Sequence, residues 1–339
     1  MNKKKIIWGA ISAILLVLLI VAGASAYIYQ QMVRAPFIDK DQWVYIYPDK
    51  HVEGMPTSNF WFETAASNEQ LFEKLEAGKL TGAYRLEKGW SAMRVARCIA
   101  RRQQTAVRLT FNGTRTLGDL ACKMSHCIAA DSSEIMQAIL SPNFLKKCET
   151  DTANVGGFLL PDTYQVYWDI SPEKLTDRLK KEYDKFWNEE RLTRCKELNI
   201  SPREAVILCS IAEEETANRR ERGVVARLYW NRLQKGMLLQ ADPTVKYALG
   251  DFALKRILLK HLEVESPYNT YKNPGLPPGP IRIVEKATID ALLNSQPHPY
   301  LYMCAKEDFS GLHNFAQTLA EHQRNAQKYH AALNQRKIK

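Results

Sequence analysis

The stretch SPREAVILCSIAEEET, residues 201–216, carries the clearest structural signal in the chain. Ser201 is followed three positions later by Glu204, a capping-box pattern that predicts the start of a helix. Cys209 and Glu213 lie one turn apart on the apolar face of that helix, so we expect Glu213 to point where its hydrophobic neighbours point. Apolar surroundings raise the pKa of a carboxyl group, which lets it hold a proton near neutrality. The pattern makes Glu213 a candidate general acid in a half-dry cleft, and a solvated acidic helix end is the alternative.

A second helix is predicted after the acidic cluster. Apolar residues recur at helical spacing over residues 224–229, and Gly236 suits the left-handed position that ends a helix. Asp242 and Pro243 then match an N-cap followed by proline at the first helical position, and Gly250 is placed to close this short helix. Asp242 is therefore either a helix cap or a residue of a site.

The segment SPYNTYKNPGLPPGP, residues 266–280, is too rich in proline and glycine for a helix or a central strand. We predict a stiff, ordered loop. Tyr268 and Tyr271 offer flat apolar faces with hydroxyl tips, and Asn269 offers both a donor and an acceptor, a mixture suited to a sugar. The alternative is a structural turn packed on the core.

Taken in chain order, eight short strings resemble the YceG-like family of endolytic murein transglycosylases. They are GGFLLPDTY (156–164), SIAEEET (210–216), NRL (231–233), LQADPT (239–244), SPYNTY (266–271), GLPPGPI (275–281), YLY (300–302) and HNF (313–315). The match runs from about residue 155 to residue 329, and the set is far more specific than any one string.

The resemblance implies a set of site residues. It implies that Glu213, the first glutamate of an S-I-x-E-x-E-T pattern, is the catalytic acid, and it implies no metal and no cofactor. It implies substrate-binding or supporting roles for Gln240, Asp242, Tyr268, Asn269 and Thr270. Glu215, which faces elsewhere on the helix, is expected to support the site by orienting a loop or binding a backbone amide, and Tyr271 stays a sugar-binding candidate with Tyr268. The chain departs from the family pattern at Glu214, where lysine is usual, and at Ala241, where threonine is common. The extra charge of Glu214 is expected to raise the pKa of Glu213, weakly if it is exposed.

The resemblance also implies the reaction. A lytic transglycosylase cleaves the bond between N-acetylmuramic acid and N-acetylglucosamine in nascent glycan strands, and leaves a 1,6-anhydro end. One carboxyl group suffices, because it protonates the bridging oxygen and then takes the proton of the muramyl 6-hydroxyl. A hydrolytic muramidase, which generally needs two carboxyl groups, is one alternative. A non-catalytic scaffold that binds peptidoglycan is the other.

The front of the chain predicts a membrane anchor. Three lysines at residues 3–5 precede an uncharged run at residues 6–29, about 24 residues or roughly 36 Å of helix, enough to cross a bilayer. Lysines favour the cytoplasmic side and the tyrosines at 27 and 29 favour the outer interface. We therefore expect a cytoplasmic tail at 1–5, a single-pass helix in the cell (inner) membrane, and an extracytoplasmic remainder. A cleaved signal peptide is the alternative, because residues 22–26 are small.

The fold class predicted for the whole chain is α+β. After the anchor, residues 37–150 alternate short strand-like runs with helices and resemble the small LysM-like α/β region that precedes the family's catalytic domain. The turn at 109–113 departs from that region's usual Pro-Glu-Gly. Residues 151–339 are predicted to form the mixed α+β catalytic domain. The predicted strands are 43–47, 82–86, 106–111, 300–305 and 312–316, and the predicted helices of these regions are near 68–77, 116–127 and 318–336.

The seven cysteines are an odd number for an exported chain and form no C-x-x-C pair, so at least one thiol is expected to stay unpaired. Cys209 is predicted to be a small buried residue. Cys122, His126 and Cys127 form half of a metal site, but no second pair of ligands has the right spacing. We therefore predict no metal.

The formal net charge is +10, and no acidic residue lies between Lys88 and Arg115. An exported domain would not meet nucleic acid, so that partner is excluded. Anionic lipid headgroups or acidic wall polymers are within reach, and a solvated basic helix face is the alternative. The expected partners are peptidoglycan strands, the membrane and peptidoglycan synthases.

Overall fold

The structure is a computed structural model and describes residues 3–254 and 256–336. Residues 1 and 2 of the predicted cytoplasmic tail and residues 337–339 of the predicted catalytic domain lie outside that range. The chain divides into two compact units. The first comprises the chain up to Leu109 with Cys127–Ala129 and Gln165–Ile170, and the second comprises Thr110–His126, Ala130–Tyr164 and the chain from Ser171 onward.

The first unit begins with a long helix and continues as a small sheet covered by short helices. Its elements are α1 (Lys3–Tyr29), a π-helical turn (Gln30–Arg34), β1 (Gln42–Ile46), β2 (Val52–Glu53), α2 (Phe60–Asn68), α3 (Leu71–Glu76), β3 (Gly82–Leu86) and α4 (Ala92–Ala100). The sheet is antiparallel in the order β2-β1-β3, with Val44 opposite Tyr84. Both of these residues are fully buried, because one face of the sheet packs on the core of the unit.

The sequence predicted the two main strands of this sheet to within a residue, and the helix predicted near 68–77 is α3, which begins at Leu71. The sequence did not predict the helix before it, α2. The two helices α2 and α3 follow each other closely over residues 60–76. Gln70 separates them with a φ of +54°, in the left-handed region that an α-helix does not tolerate.

The helix α1 matches the predicted anchor. Among the described residues, one continuous helical stretch is long and apolar enough to cross a membrane. It runs from Lys4 to Arg34 and consists of α1 and the π-helical turn that follows it. Its apolar side chains are exposed, as Leu19 illustrates at 70%. Length and composition fit a membrane span and equally fit an N-terminal signal sequence.

The basic stretch of the first unit is largely paired within the unit. Arg97 and Arg101 place Nε atoms 3.0 and 3.3 Å from the two carboxylate oxygens of Glu69. Arg102 lies 3.3 Å from Asp169. Acidic residues remote in sequence thus meet three of the arginines that the sequence left without partners.

The second unit is mostly helical. Its elements are α5 (Leu117–Ser125), α6 (Ser132–Ile139), α7 (Pro142–Lys147), a 3₁₀ turn (Val155–Phe158), α8 (Pro172–Phe186), α9 (Glu189–Leu198), α10 (Pro202–Glu215), α11 (Arg222–Gln234), α12 (Asp242–Leu249), a 3₁₀ turn (Leu259–Glu263), α13 (Lys286–Leu293), β6 (Tyr302–Ala305), β7 (His313–Ala316) and α14 (Leu319–Gln335). Two further strands, β4 (Val107–Phe111) and β5 (Asp162–Val166), pair with each other, and each has residues in both units. Helices and small sheets together confirm the α+β class.

The compact units do not change over at residue 150, where the sequence placed a domain boundary. The helices α5 to α7 precede that residue but belong to the second unit, where α6 and α7 pack against α8. The assignment of residues 37–150 and 151–339 as functional domains stays a prediction.

The helix α10 is the centre of the second unit. Ser201 and Glu204 form the predicted capping box, in which the Glu204 carboxylate accepts the Ser201 N–H at 2.7 Å. Every residue from Ala205 to Glu213 is buried, because α10 packs against α11 and α13. A helix buried all round has no solvent-facing stripe over that length, so its apolar face alone cannot indicate where a cleft lies.

The C-terminal part follows the prediction. The strands β6 and β7 form an antiparallel hairpin with Tyr302 opposite Ala316. Thr318 caps α14 through a capping box with Glu321, and α14 packs on both strands. Residues 264–285 contain neither helix nor strand, as expected for the proline-rich loop.

Candidate active site

A cavity of about 380 Å³ lies in the second unit at the C-terminal end of α10. Its walls come from α10, α11, the segment before α12, Tyr271, the hairpin strand β6 and the first turn of α14. The lining residues are Glu215, Leu228, Tyr229, Arg232, Leu239, Gln240, Asp242, Tyr271, Leu301, Tyr302, Met303, Leu319 and His322. The mixture of carboxyl groups, aromatic rings and aliphatic side chains is typical of a ligand site.

Glu215, the last residue of α10, places a carboxyl group in this cavity. Its Oε2 atom is buried and has no hydrogen-bond partner among the described residues. Burial and the nearby charge of Asp242 raise the pKa of Glu215 to about 7, while the Tyr229 hydroxyl and Lys246 act in the opposite direction. A carboxyl group of this kind is protonated for a large share of the time at neutral pH.

Asp242 is the second carboxylate in the cavity, and it does not cap α12. The helix starts at Asp242 itself, Ala241 occupies the N-cap position, and no side chain caps it. The Asp242 Oδ1 atom instead accepts a hydrogen bond of 2.6 Å from the Tyr271 hydroxyl. The predicted C-terminal ends of α11 and α12 are confirmed, because Gly236 and Gly250 have left-handed φ values of +65° and +67°.

Gln240 is held by Arg232. The Arg232 Nη2 atom donates to Gln240 Oε1 at 2.7 Å, and the same guanidinium donates to the carbonyls of Leu238 and Leu301. Gln240 has a φ of +52°, in the left-handed region. Arg232 therefore holds in the cavity wall a residue whose backbone is strained.

Asn269 and Thr270 do not line the cavity. Asn269 is fully buried and donates to the carbonyls of Leu262 and Val264. The Thr270 hydroxyl accepts the Ala241 N–H at 3.0 Å. Both side chains satisfy buried backbone groups, which is the structural alternative for this loop, and they position the lining residues on either side.

Tyr268 also lies outside the cavity. Its ring is 4.8 Å from that of Tyr247 and is partly buried against the core. Of the supporting and substrate-binding residues expected from the sequence, the structure brings together Glu215, Gln240, Asp242 and Tyr271.

Glu213 does not point into the cavity, and the expected geometry is wrong there. Its side chain is 0% exposed and lies between two guanidinium groups, 2.9 Å from Arg282 Nε and 3.5 Å from Arg222 Nη1. The Glu285 N–H donates to its Oε1 atom at 2.9 Å. Burial raises the pKa of Glu213, and the hydroxyl of Thr288, the two arginines and this amide oppose the rise.

The physical reason lies in what covers each face of α10. The apolar face that carries Glu213 is closed by α13 and by the segment before it, so the carboxyl group is buried away from the cavity. Glu215 is turned about 200° from Glu213 around the helix axis and faces the cavity instead.

Glu214 faces a third direction. Its carboxylate accepts from Arg115 Nε at 2.9 Å and from Arg282 Nη1 at 2.8 Å. Two arginines pair with the Glu214 carboxylate. Glu214 is therefore not the free negative charge that was expected to raise the pKa of Glu213. Arg282 bridges Glu213 and Glu214.

Sequence reasoning did not single out Tyr229, Tyr302 or His322 as site residues. Tyr302 belongs to the YLY string that carried the resemblance, so a signal was present for it. His322 stands more than 100 residues after Glu215, and no spacing rule links the two. Among the described residues, no group of three or more His, Cys, Asp or Glu side chains is placed to hold a metal ion. Cys209 is fully buried, as predicted.

Comparisons with known proteins agree on one family. The model of the YceG-like family matches residues 23–328. The endolytic murein transglycosylase of Bacillus subtilis is 32% identical over 279 residues, which cover 77% of this chain and 76% of that protein. The endolytic murein transglycosylase of Streptococcus pneumoniae serotype 2 is 29% identical over 177 residues, 51% of this chain and 32% of that protein.

A solved structure shows the same fold. The crystal structure of a yceG-like protein from Listeria monocytogenes superimposes with a TM-score of 0.55 at 25% identity. The superposition covers 84% of this chain and 99% of the Listeria chain.

Proposed function

The chain belongs to the YceG-like family, and we propose on this basis that it is an endolytic lytic transglycosylase that cuts peptidoglycan strands. The names of the Bacillus and Streptococcus relatives support this activity. The proposed bond is the one between N-acetylmuramic acid and N-acetylglucosamine, cleaved with formation of a 1,6-anhydro-muramyl end.

We assign to Glu215 the catalytic role that the family resemblance implies for Glu213. The observation that supports this choice is a carboxyl group that lines the cavity, has a pKa of about 7 and leaves Oε2 without a partner. A general acid works best when its pKa is close to the working pH. Glu213 lacks access to the cavity, whatever its protonation state.

The reaction then needs one carboxyl group. Glu215 gives its proton to the bridging oxygen as the bond from that oxygen to the muramyl C1 atom breaks. The muramyl 6-hydroxyl oxygen forms the new bond to C1, and its proton passes to the Glu215 carboxylate. Atoms balance without water, and the acid form of the enzyme is restored.

Asp242 supports this cycle through its charge. A carboxylate near Glu215 disfavours the ionised form of Glu215 and so keeps the acid protonated. The Tyr271 hydroxyl holds Asp242 in place.

The test is to digest purified glycan strands with the wild type, Glu215→Gln and Glu213→Gln and to identify the ends by mass spectrometry. We expect Glu215→Gln to lose about 10²–10⁴-fold in kcat. Glu213→Gln, the matched variant on the same helix, should keep activity within about tenfold of wild type where it stays folded. Equal rates of anhydro-end formation by wild type and Glu215→Gln would overturn the assignment.

The same digest separates the alternatives. A hydrolytic muramidase, with Asp242 as its second carboxyl group, would give reducing ends that are heavier by one water. A binding scaffold would retain glycan and produce no new ends.

The location is part of the proposal. We propose that α1 anchors the protein in the cell membrane with the N-terminus in the cytoplasm, residues 37–150 as a LysM-like region outside and residues 151–339 as the catalytic domain. The length and exposure of α1 support a span. Proteolysis of intact spheroplasts should remove the domains and leave the N-terminus protected; protection of the whole chain would contradict this topology.

A further inference from the structure

The C-terminal helix contributes one of a pair of stacked rings to the cavity wall. The rings of Tyr302, in β6, and His322, in the first turn of α14, have centroids 5.5 Å apart and an interplanar angle of 23°. The Arg232 guanidinium lies 5.6 Å from the centroid of the Tyr302 ring and is itself fixed by backbone carbonyls. Both rings therefore have defined positions before any ligand arrives.

His322 carries a polar atom with no partner in the protein. Its Nδ1 atom is buried and makes no hydrogen bond to any described residue. Burial and the charge of Arg232 lower the pKa of His322, so the ring is neutral near pH 7 and has one donor and one acceptor nitrogen. A buried polar atom without a partner is costly, and a ligand that supplies the partner removes that cost.

Two aliphatic side chains lie in the cavity wall together with the ring pair. Met303 and Leu319 line the same cavity, and Leu319 is 53% exposed although it is a large aliphatic residue. Arg232, the arginine of the lining, already donates to Leu238, Leu301 and Gln240. The wall therefore suits a neutral ligand with apolar and polar faces better than a phosphate or a carboxylate.

Building on the proposed function, we propose that Tyr302 and His322 form a platform that binds an N-acetylated sugar ring of the glycan beside the bond at Glu215. The C–H face of the sugar lies against the stacked rings where they line the cavity, and a hydroxyl or amide group of the sugar pairs with His322. The acetamido methyl group lies against Met303 and Leu319. His322 acts in binding and moves no proton in the reaction.

The experiment measures binding without turnover. Full-length Glu215→Gln protein in detergent serves as the parent, and calorimetry gives the Kd of the N-acetylglucosamine tetramer and of its deacetylated form. We expect Tyr302→Ala and His322→Phe, added to the parent, each to weaken binding of the acetylated tetramer about tenfold. His322→Phe keeps a ring and removes the nitrogens, so a loss reports the hydrogen bond. The deacetylated tetramer should bind the parent about tenfold more weakly than the acetylated one.

His330→Ala is the matched control, because His330 is an exposed histidine of the same helix that does not line the cavity. It should leave Kd unchanged. Tyr302→Phe keeps the ring and should bind within twofold of the parent, which separates loss of the platform from misfolding of Tyr302→Ala. Unchanged affinity in Tyr302→Ala and His322→Phe, or no tetramer binding by the folded parent, would overturn the platform. Anhydro ends formed by Glu215→Gln would instead overturn the proposed acid and leave this binding comparison intact.

Discussion

Glu213 and Glu215 stand two residues apart at the end of α10, and their carboxyl groups lie in opposite surroundings. Around Glu213, the side chains of Arg222 and Arg282 and the Glu285 amide surround the carboxyl group and leave it with no solvent exposure. Around Glu215, a cavity is open, and the neighbouring charge of Asp242 raises the pKa of Glu215, whereas two arginines act to lower that of Glu213. Burial alone therefore does not identify an acid catalyst; a buried carboxyl group also needs access to a cavity and must lack neighbouring cations that would hold it ionised.

The largest stability effect is expected from Arg282→Leu. This change leaves the buried Glu213 carboxyl group without its nearest cation and removes one partner of Glu214. Breaking a buried pair on one side costs about 3–5 kcal/mol. Urea denaturation at pH 7 measures the loss in the free energy of unfolding.

Arg219→Leu is the matched control for that measurement. Its guanidinium also meets a carboxylate, 3.3 Å from Glu285, but its side chain is 74% exposed. An exposed pair contributes about 0–1 kcal/mol. Equal losses in the two variants would show that the surroundings of Glu213 are not the closed ion-paired region described above.

The next effect concerns stability as a function of pH. The pKa of Glu215 is raised from 4.5 to about 7, so the native state binds this proton more tightly than the unfolded chain. The resulting stability is fully present below pH 4.5 and is lost as the pH rises through about 7. Glu215→Gln has no proton to lose, so its free energy of unfolding relative to wild type should grow by on the order of 3 kcal/mol between pH 4.5 and pH 8.5.

Thermal and urea unfolding of both proteins at pH 5 and pH 8.5 check this sign. Glu214→Gln is the control, because it removes a carboxyl group outside the cavity. The prediction is wrong if the difference in the free energy of unfolding between Glu215→Gln and wild type is the same at both pH values. The Glu215 carboxyl group would then not be held protonated in the folded state.

A smaller effect is expected from Asp242→Asn. Removal of this charge removes one of the causes that raise the pKa of Glu215. The acid form is then lost at lower pH, and the alkaline limb of kcat/KM should move down from about pH 7 by about half to one pH unit. A pH profile with purified glycan measures the shift. Complete loss of activity would favour a direct role of Asp242 and the hydrolytic alternative.

The smallest effect is expected from Arg115→Leu. Arg115 is half-exposed, and Glu214 keeps Arg282 as a partner when Arg115 is lost. The free energy of unfolding should fall by about 0.5–1 kcal/mol, with kcat unchanged. A loss of activity at unchanged stability would mean that the ion pairs of Glu214 affect the residues that line the cavity.

Local sequence signals predicted much of the fold because they act through neighbouring residues. The Ser201–Glu204 capping box, the positive φ at Gly236 and Gly250, and the Thr318 cap of α14 all involve contacts within a few residues. Local rules did not predict the role of the Asp242 side chain. It accepts a hydrogen bond from Tyr271, 29 residues later, and does not cap α12.

The site was harder to predict for the same reason. Helical periodicity placed Glu213 on the apolar face of α10 correctly, but the groups that cover this face come from Arg222, Arg282 and Glu285, which are remote in sequence. Polar residues of the 266–280 loop suggested a sugar contact, whereas Asn269 and Thr270 satisfy backbone groups. Only the fold reveals which polar side chains are already used.

The left-handed backbone at Gln240 limits which residues can replace it. A side chain in that region costs on the order of 1–3 kcal/mol relative to glycine, yet glycine there would release the tether to Arg232. A glycine at position 240 would therefore relax the main chain but leave the Arg232 guanidinium without this acceptor. Redesign of the turn needs a second substitution that supplies another acceptor for Arg232.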